Sequence, residues 1–254
     1  MHDVVDFSSC RKVFLAKKLF SYVMFAGFFV IHGHTAIAAQ ESAEPTISKE
    51  MGSTHQQLFL DAINDDLSGR NKEARSIYDR LKISEMATVS AVPSAINYAA
   101  LGQYDDAMKA FRMLSSSANA RERDYARLWQ LWLTAKQWKG TRAELTHNLK
   151  KQAVNYKWQL PYQQEIAQLY IGKGSEDSVF QSIENWNVEE AVKKDALTEA
   201  TFFVGGYLQH VKQDTDRTRA LFNANQSKLN SVSLERPFID RECIALNKLT
   251  HQSK

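Results

Sequence analysis

The side chains able to do chemistry in this 254-residue sequence are few and scattered. His55, His147, His210 and His251 show no zinc-type pairing, and with Cys10 and Cys243 as the only cysteines there is no cysteine cluster. Asp214-Thr215-Asp216 has the alternating acids of a calcium loop but lacks its glycine and distal glutamate, which makes it a solvated turn. Gly205-Gly206 falls in a helical stretch rather than after a strand, so it suits close helix packing better than phosphate binding. No nucleophile-elbow signature is present. These patterns predict no metal, no cofactor and no catalytic residue.

What the sequence does contain is an internal repeat. Gly69, Ala74, Tyr78 and Leu81 recur 33 positions later as Gly102, Ala107, Phe111 and Leu114. A constant offset at positions of matching size is the signature of a repeat of tetratricopeptide length. Two closely crossing helices need a small residue where their backbones meet and a large one to plug the next hairpin. Ala62 and Ala95 supply the small contact on the first helix, and Ala74 and Ala107 supply it on the second. Tyr78 and Phe111 are the plugs, four residues on along the same face. Gly69 and Gly102 stand where the first helix ends, and glycine accepts the left-handed conformation of a short turn.

The periodicity extends this into an all-α chain. Helices are expected near 55–68, 70–84, 90–101, 104–117, 120–136, 140–155, from Pro161 to the Gly172/Gly174 turn, 176–186, 189–211, 215–227 and 234–250. Pro93 should lie near the start of its helix, and Pro237 in the first turn of the last one. The longest strand candidate, Thr88 to Val92, is short and runs into Pro93. The expected fold is a tetratricopeptide-repeat superhelix of about five hairpins, residues 55–254. Its C-terminal helix is a capping helix made polar by Arg236, Asp240, Arg241 and Glu242.

The N-terminus carries an address. Arg11, Lys12, Lys17 and Lys18 precede an apolar run from Leu19 to Ile31, and Ala36-Ile37-Ala38 follows. This is the order of a cleavable secretory signal over 1–38, with cleavage expected after Ala38 and a flexible linker over 39–54. The run of about 13 residues is short of the roughly 20 that span a bilayer. Cys10 precedes the apolar core, so it cannot be the lipid-bearing cysteine that follows such a core, and no lipid anchor is predicted. Cleavage leaves 28 basic against 27 acidic side chains, a balance that argues against nucleic-acid binding. Only Cys243 survives, as a small residue on an apolar face or as an intermolecular disulfide.

From Ala95 onward the sequence resembles the NlpI family of tetratricopeptide-repeat envelope lipoproteins. The match is carried by Arg127-Leu128-Trp129 with Leu131, Trp132 and Leu133, by Leu169-Tyr170-Ile171-Gly172 with Ser175-Glu176, by Glu199, Phe202, Phe203, Gly205 and Tyr207, and by Ala220-Leu221-Phe222. Glu235 stands where the family has a glutamate entering the final helix. The resemblance implies a superhelical adaptor that docks a tail-specific periplasmic protease and murein hydrolases, often as a homodimer. The missing lipid cysteine and the shorter N-terminal region depart from that pattern.

In such an array the first helix of each hairpin lines the concave face. Registered on Ala62, Ala95 and Ala167, that face contains Phe59, Ile63 and Asp66, then Val92, Ile96 and Ala99, then Gln164, Gln168 and Ile171. The third hairpin contributes Tyr125, Trp129 and Trp132, whose alternative place is the core between hairpins. Asp66 is the one charge in this set and suggests a basic contact. The functional expectation is an exported, periplasmic, non-catalytic adaptor whose partners are envelope proteins. The alternative is an assembly component of a pilus or secretion system.

Overall fold

A computed structural model describes residues 45–252, with side chains described for 54–248. The expected signal, its cleavage site and the start of the expected linker lie outside the described residues. Among the described residues there is no strand. Eleven α-helices follow one another: α1 (Pro45–Leu67), α2 (Asn71–Leu81), α3 (Ala87–Ala100), α4 (Tyr104–Leu114), α5 (Ala120–Gln137), α6 (Arg142–Ala153), α7 (Pro161–Tyr170), α8 (Glu176–Glu184), α9 (Glu190–Tyr207), α10 (Thr215–Asn225) and α11 (Arg236–Gln252). None of these is long and apolar enough to cross a membrane.

Three hairpin turns are built alike. Gly69, Gly102 and Gly172 have φ of 76°, 75° and 76°. In each, the glycine N–H donates to the carbonyl three residues back (Asp66, Ala99, Leu169). The next N–H donates to the carbonyl five residues back (Asp65, Tyr98, Gln168). This paired closure satisfies carbonyls left open at a helix end and needs a left-handed residue at the glycine. The alanines of the repeat, Ala62, Ala74, Ala95 and Ala107, are all buried, as are the plugs Tyr78 and Phe111.

Three boundaries differ from expectation. The first helix begins at Pro45, inside the expected linker, because proline at a first helical position loses no bond it could have made. α3 begins at Ala87, so Pro93 sits well inside it. The missing N–H and the crowding of the Val89 carbonyl are offset by burial, with Met86 and Val89 packed on the first hairpin and Pro93 itself buried. Beyond Tyr207, α9 loosens into a π-helical turn, Leu208–Lys212, that ends on Gln213 at φ 58°.

The core has two parts. One, around Phe59, Ile63, Tyr78 and Leu81, belongs to the first hairpin. The other runs from Ala95 to Leu246. Between them lies a buried polar seam in which Asn97 Nδ2 donates to Asp66 Oδ1 at 2.6 Å and to the Asn71 carbonyl at 2.8 Å. α11 does more than close the end of the array, since it touches α9, α10 and also α1. Leu234, just ahead of it, packs against both cores.

The glycines separate two kinds of constraint. A Cβ on Gly102 would meet nothing within 4 Å, whereas one on Gly205 would fall 2.2 Å from the Phe222 ring. Gly102→Ala should therefore destabilise by about 1 kcal/mol through backbone strain alone, and Gly102→Asn by less. Gly205→Ala should lose roughly 1–3 kcal/mol through overpacking. Urea unfolding of the three variants checks the order.

Candidate functional site

The side chains expected to line a groove are largely covered by the chain itself. Phe59, Ile63 and Ile96 are buried in the core. Trp129 has 0 % exposure and Trp132 5 %. Tyr125 and Gln168 are half-buried. Phe59, Ile63, Ile96, Trp129 and Trp132 thus sit in packed positions in this structure. Phe59 and Ile63 pack with Tyr78, Leu81 and Met86 in the first core, whereas Trp129 and Trp132 are covered by Phe202 of α9 and Phe238 of α11.

Trp129 is the centre of this arrangement. Its ring stacks on Phe111 of the second hairpin at 5.2 Å and 6°. It meets Phe202 at 4.9 Å, Phe203 at 5.7 Å, Trp132 at 5.4 Å and Phe238 at 5.6 Å. Edge-to-face and stacked pairs at such spacings add to area burial because the positive ring edge meets the negative face. α4, α5, α9 and α11 all contribute rings, so the cluster fixes four helices at once. Gly206 allows the approach, since a Cβ there would sit 2.3 Å from Trp132 Cδ1.

A shallow pocket opens beside Phe238, walled by Tyr104, Trp132 and Phe202 and rimmed by Lys136, Arg241 and Glu242. Lys136 Nζ lies 6.0 Å from the Trp132 ring centre, and the Arg241 guanidinium 5.1 Å from that of Phe238. The π-helical turn places His210 against Trp132 at 5.9 Å. Burial, helped by the Lys136 charge, pushes the imidazole down to about 3, so it is neutral at physiological pH.

A second polar group is built around two carboxylates, Glu199 and Glu235. Glu235, ahead of α11, is buried and accepts hydrogen bonds from the hydroxyls of Tyr125 and Ser233. Glu199 on α9 accepts from Gln163 Nε2 at 2.7 Å and from the Tyr162 hydroxyl at 3.0 Å. Burial first, then the Glu235 carboxylate, push Glu199 up to about 8; Arg121 works the other way. Such a pair could in principle move protons. The hydrogen bonds, however, run from α5 and α7 to α9 and to the entry of α11, which is the wiring of a joint. Among the described residues no three His, Cys, Asp or Glu side chains come together as a metal site.

Asp66, expected as a groove charge for a basic partner, is 5 % exposed and committed to Asn97. Its burial raises the carboxyl to about 6, against the Asn97 hydrogen bond and the Arg75 charge. Arg75 lies 4.1 Å over the Tyr98 ring and donates to Ser94 Oγ at 2.8 Å. Cys243 is buried with its sulfur 3.1 Å from Asn223 Oδ1, the place of a packed small residue rather than of an intermolecular disulfide. On the inner set, Gln164 is exposed and Gln168 half-buried, both on α7.

Sequence reasoning did not single out Phe238, the anchor of α11. The available signal was the spacing of Phe238, Ile239, Cys243 and Leu246 along one helical face.

No protein-family model matches the chain, and no curated protein matches it either.

The carboxylates make a pH test. A folded value raised above the unfolded one means that the folded state holds the proton more tightly, so stability falls as pH rises toward the folded value. Asp66 stops titrating near 6, and His210 acts below its ordinary 6.5 with the opposite sign. Between pH 6.5 and 8, Glu199 is left as the main of these three groups. The protein should lose on the order of 1 kcal/mol over that window. Glu199→Gln should flatten the loss, as measured by chemical unfolding at a series of pH values.

Proposed function

We propose that this chain is an exported, non-catalytic adaptor of the tetratricopeptide-repeat type, acting in the cell envelope by holding a partner protein on the inner side of its helical array. The observation that carries the reading is the set of three matched glycine turns at Gly69, Gly102 and Gly172. Repeated hairpins of this construction stack into curved arrays whose use is protein recognition. The secretory signal pattern in 1–38 supports an envelope location, and the resemblance to the NlpI family from Ala95 onward supports a periplasmic protease or peptidoglycan hydrolase as the client. A homodimer is part of the same proposal.

The partner contacts are assigned to what is exposed at the rim of the inner side rather than to its aromatic floor. Gln164 and Gln168 on α7 are polar members of the original set that retain surface, as do the half-buried Val92 and the half-buried Tyr125 beside the carboxylate pair. Polar rims around buried aromatic centres are the usual anatomy of a recognition site.

The test is capture of partners from envelope extract by immobilised protein, followed by binding measurements with the purified candidate. A protease or murein hydrolase should bind, and Gln164→Lys/Gln168→Lys should weaken it about tenfold or more while leaving the circular dichroism spectrum unchanged. Recovery of pilus or secretion subunits alone would replace the client assignment with an assembly role. A purified client that binds wild type and double variant alike would remove α7 from the site.

A further inference from the structure

α11 is placed as a ligand is placed. It is the last helix described, and it joins the rest of the chain through the single segment between Leu229 and Glu235. Its apolar face, Phe238, Ile239, Cys243 and Leu246, is buried, while Ile244 on the other side is 57 % exposed. The Phe238 ring enters between Trp129, Trp132 and Phe202, at 5.6, 6.4 and 5.4 Å. Its polar ties to the rest of the chain are made by side chains: Glu235 is held by Tyr125 and Ser233, Gln209 Nε2 donates to Glu242 at 3.0 Å, the Cys243 thiol lies 3.1 Å from Asn223 Oδ1 and Arg241 reaches the Ala100 carbonyl at 3.5 Å, while the Arg236 to Asp240 ion pair lies within α11 itself. A small pocket borders the Phe238 ring.

We propose that α11 is a resident occupant of the inner side that a partner helix of the same chemistry displaces. This rests on the adaptor reading given above. The fitting partner is an amphipathic helix that enters with a carboxylate three residues before an aromatic anchor, followed by small or aliphatic residues one, five and eight positions beyond that anchor. The pattern is that of Glu235, Phe238, Ile239, Cys243 and Leu246. An apolar helix face laid into a groove is a recurring recognition mode. Because α11 is tethered, it competes at an effective concentration in the millimolar range, so a free helix of equal intrinsic strength loses to it. A partner binds only when it outbids that tether or when α11 is weakened, so the helix sets a threshold for recruitment.

The experiment needs no envelope partner, which keeps its failure distinct from failure of the client assignment. The full chain carrying Cys10→Ser is compared with the same chain carrying Phe238→Ala. The probe is a fluorescent synthetic peptide of residues 234–252 in which Cys243 is replaced by serine, followed by anisotropy. Phe238→Ala should bind the peptide at least about tenfold more tightly, because the weakened resident helix yields its place. Adding Asn223→Cys provides a disulfide to Cys243, whose sulfur already lies 3.1 Å from the Asn223 side chain. Oxidation should abolish peptide binding and reduction restore it. Equal binding by wild type and Phe238→Ala, or binding unaffected by a disulfide confirmed by thiol titration, would overturn the proposal. Should the disulfide not form, hydrogen exchange of the unmodified protein decides. Opening of α11 separately from α9 supports displacement, and exchange of both only through global unfolding refutes it.

Discussion

Trp129 requires ring neighbours on every side, and the rest of the architecture follows from supplying them. An indole with no exposed surface in the middle of a helical array has to be enclosed by side chains from different hairpins. Here Phe111 comes from α4, Trp132 from its own helix, Phe202 and Phe203 from α9, and Phe238 from α11. Those positions are far apart in sequence. Enclosing one ring therefore determines how sharply the hairpins turn about each other, and it calls the last helix back across the array. The glycines at 205 and 206 belong to the same constraint, since they let α9 approach α10 and α5 closely enough for the rings to meet.

Polar chemistry is arranged around this cluster as a frame. The Asp66 and Asn97 seam separates the first hairpin from the remainder, while Glu199 and Glu235 join α5, α7, α9 and the entry to α11. Asp66 and Glu199 accept bonds from neutral donors, and burial raises the proton affinity of both. Such groups specify which helices meet.

What could be read from the sequence was local. Glycine followed at fixed distances by alanine and an aromatic plug encodes a hairpin within about 15 residues, and the turns at Gly69 and Gly102 carry the left-handed backbone that this pattern implies, as does the Gly172 turn without the plug pattern. The all-helical class follows from periodicities of similar range. The inner face was not legible in the same way. Which side of α5 holds Trp129 depends on the accumulated rotation from hairpin to hairpin, and small rotations leave no mark on any single window of sequence. The same limit explains Asp66, whose partner Asn97 lies in the next hairpin, and α11, whose polar residues suggested a cap while Phe238, Ile239, Cys243 and Leu246 carried the docking face. Pro93 was misplaced for a simpler reason, because burial of the α3 face outweighs one lost backbone bond.

Arrays of stacked hairpins ordinarily unfold as one-dimensional chains, with each unit sensing only its neighbours and the ends fraying first. The contact between α11 and α1 changes that behaviour. With α11 resting on α1, melting the first hairpin also removes support from a helix distant along the chain. Folding of the array also acquires an order: the hairpins can form as they emerge, but the aromatic hub stays open until the C-terminal segment arrives. The ring cluster around Trp129 is thus completed only once α11 has been made.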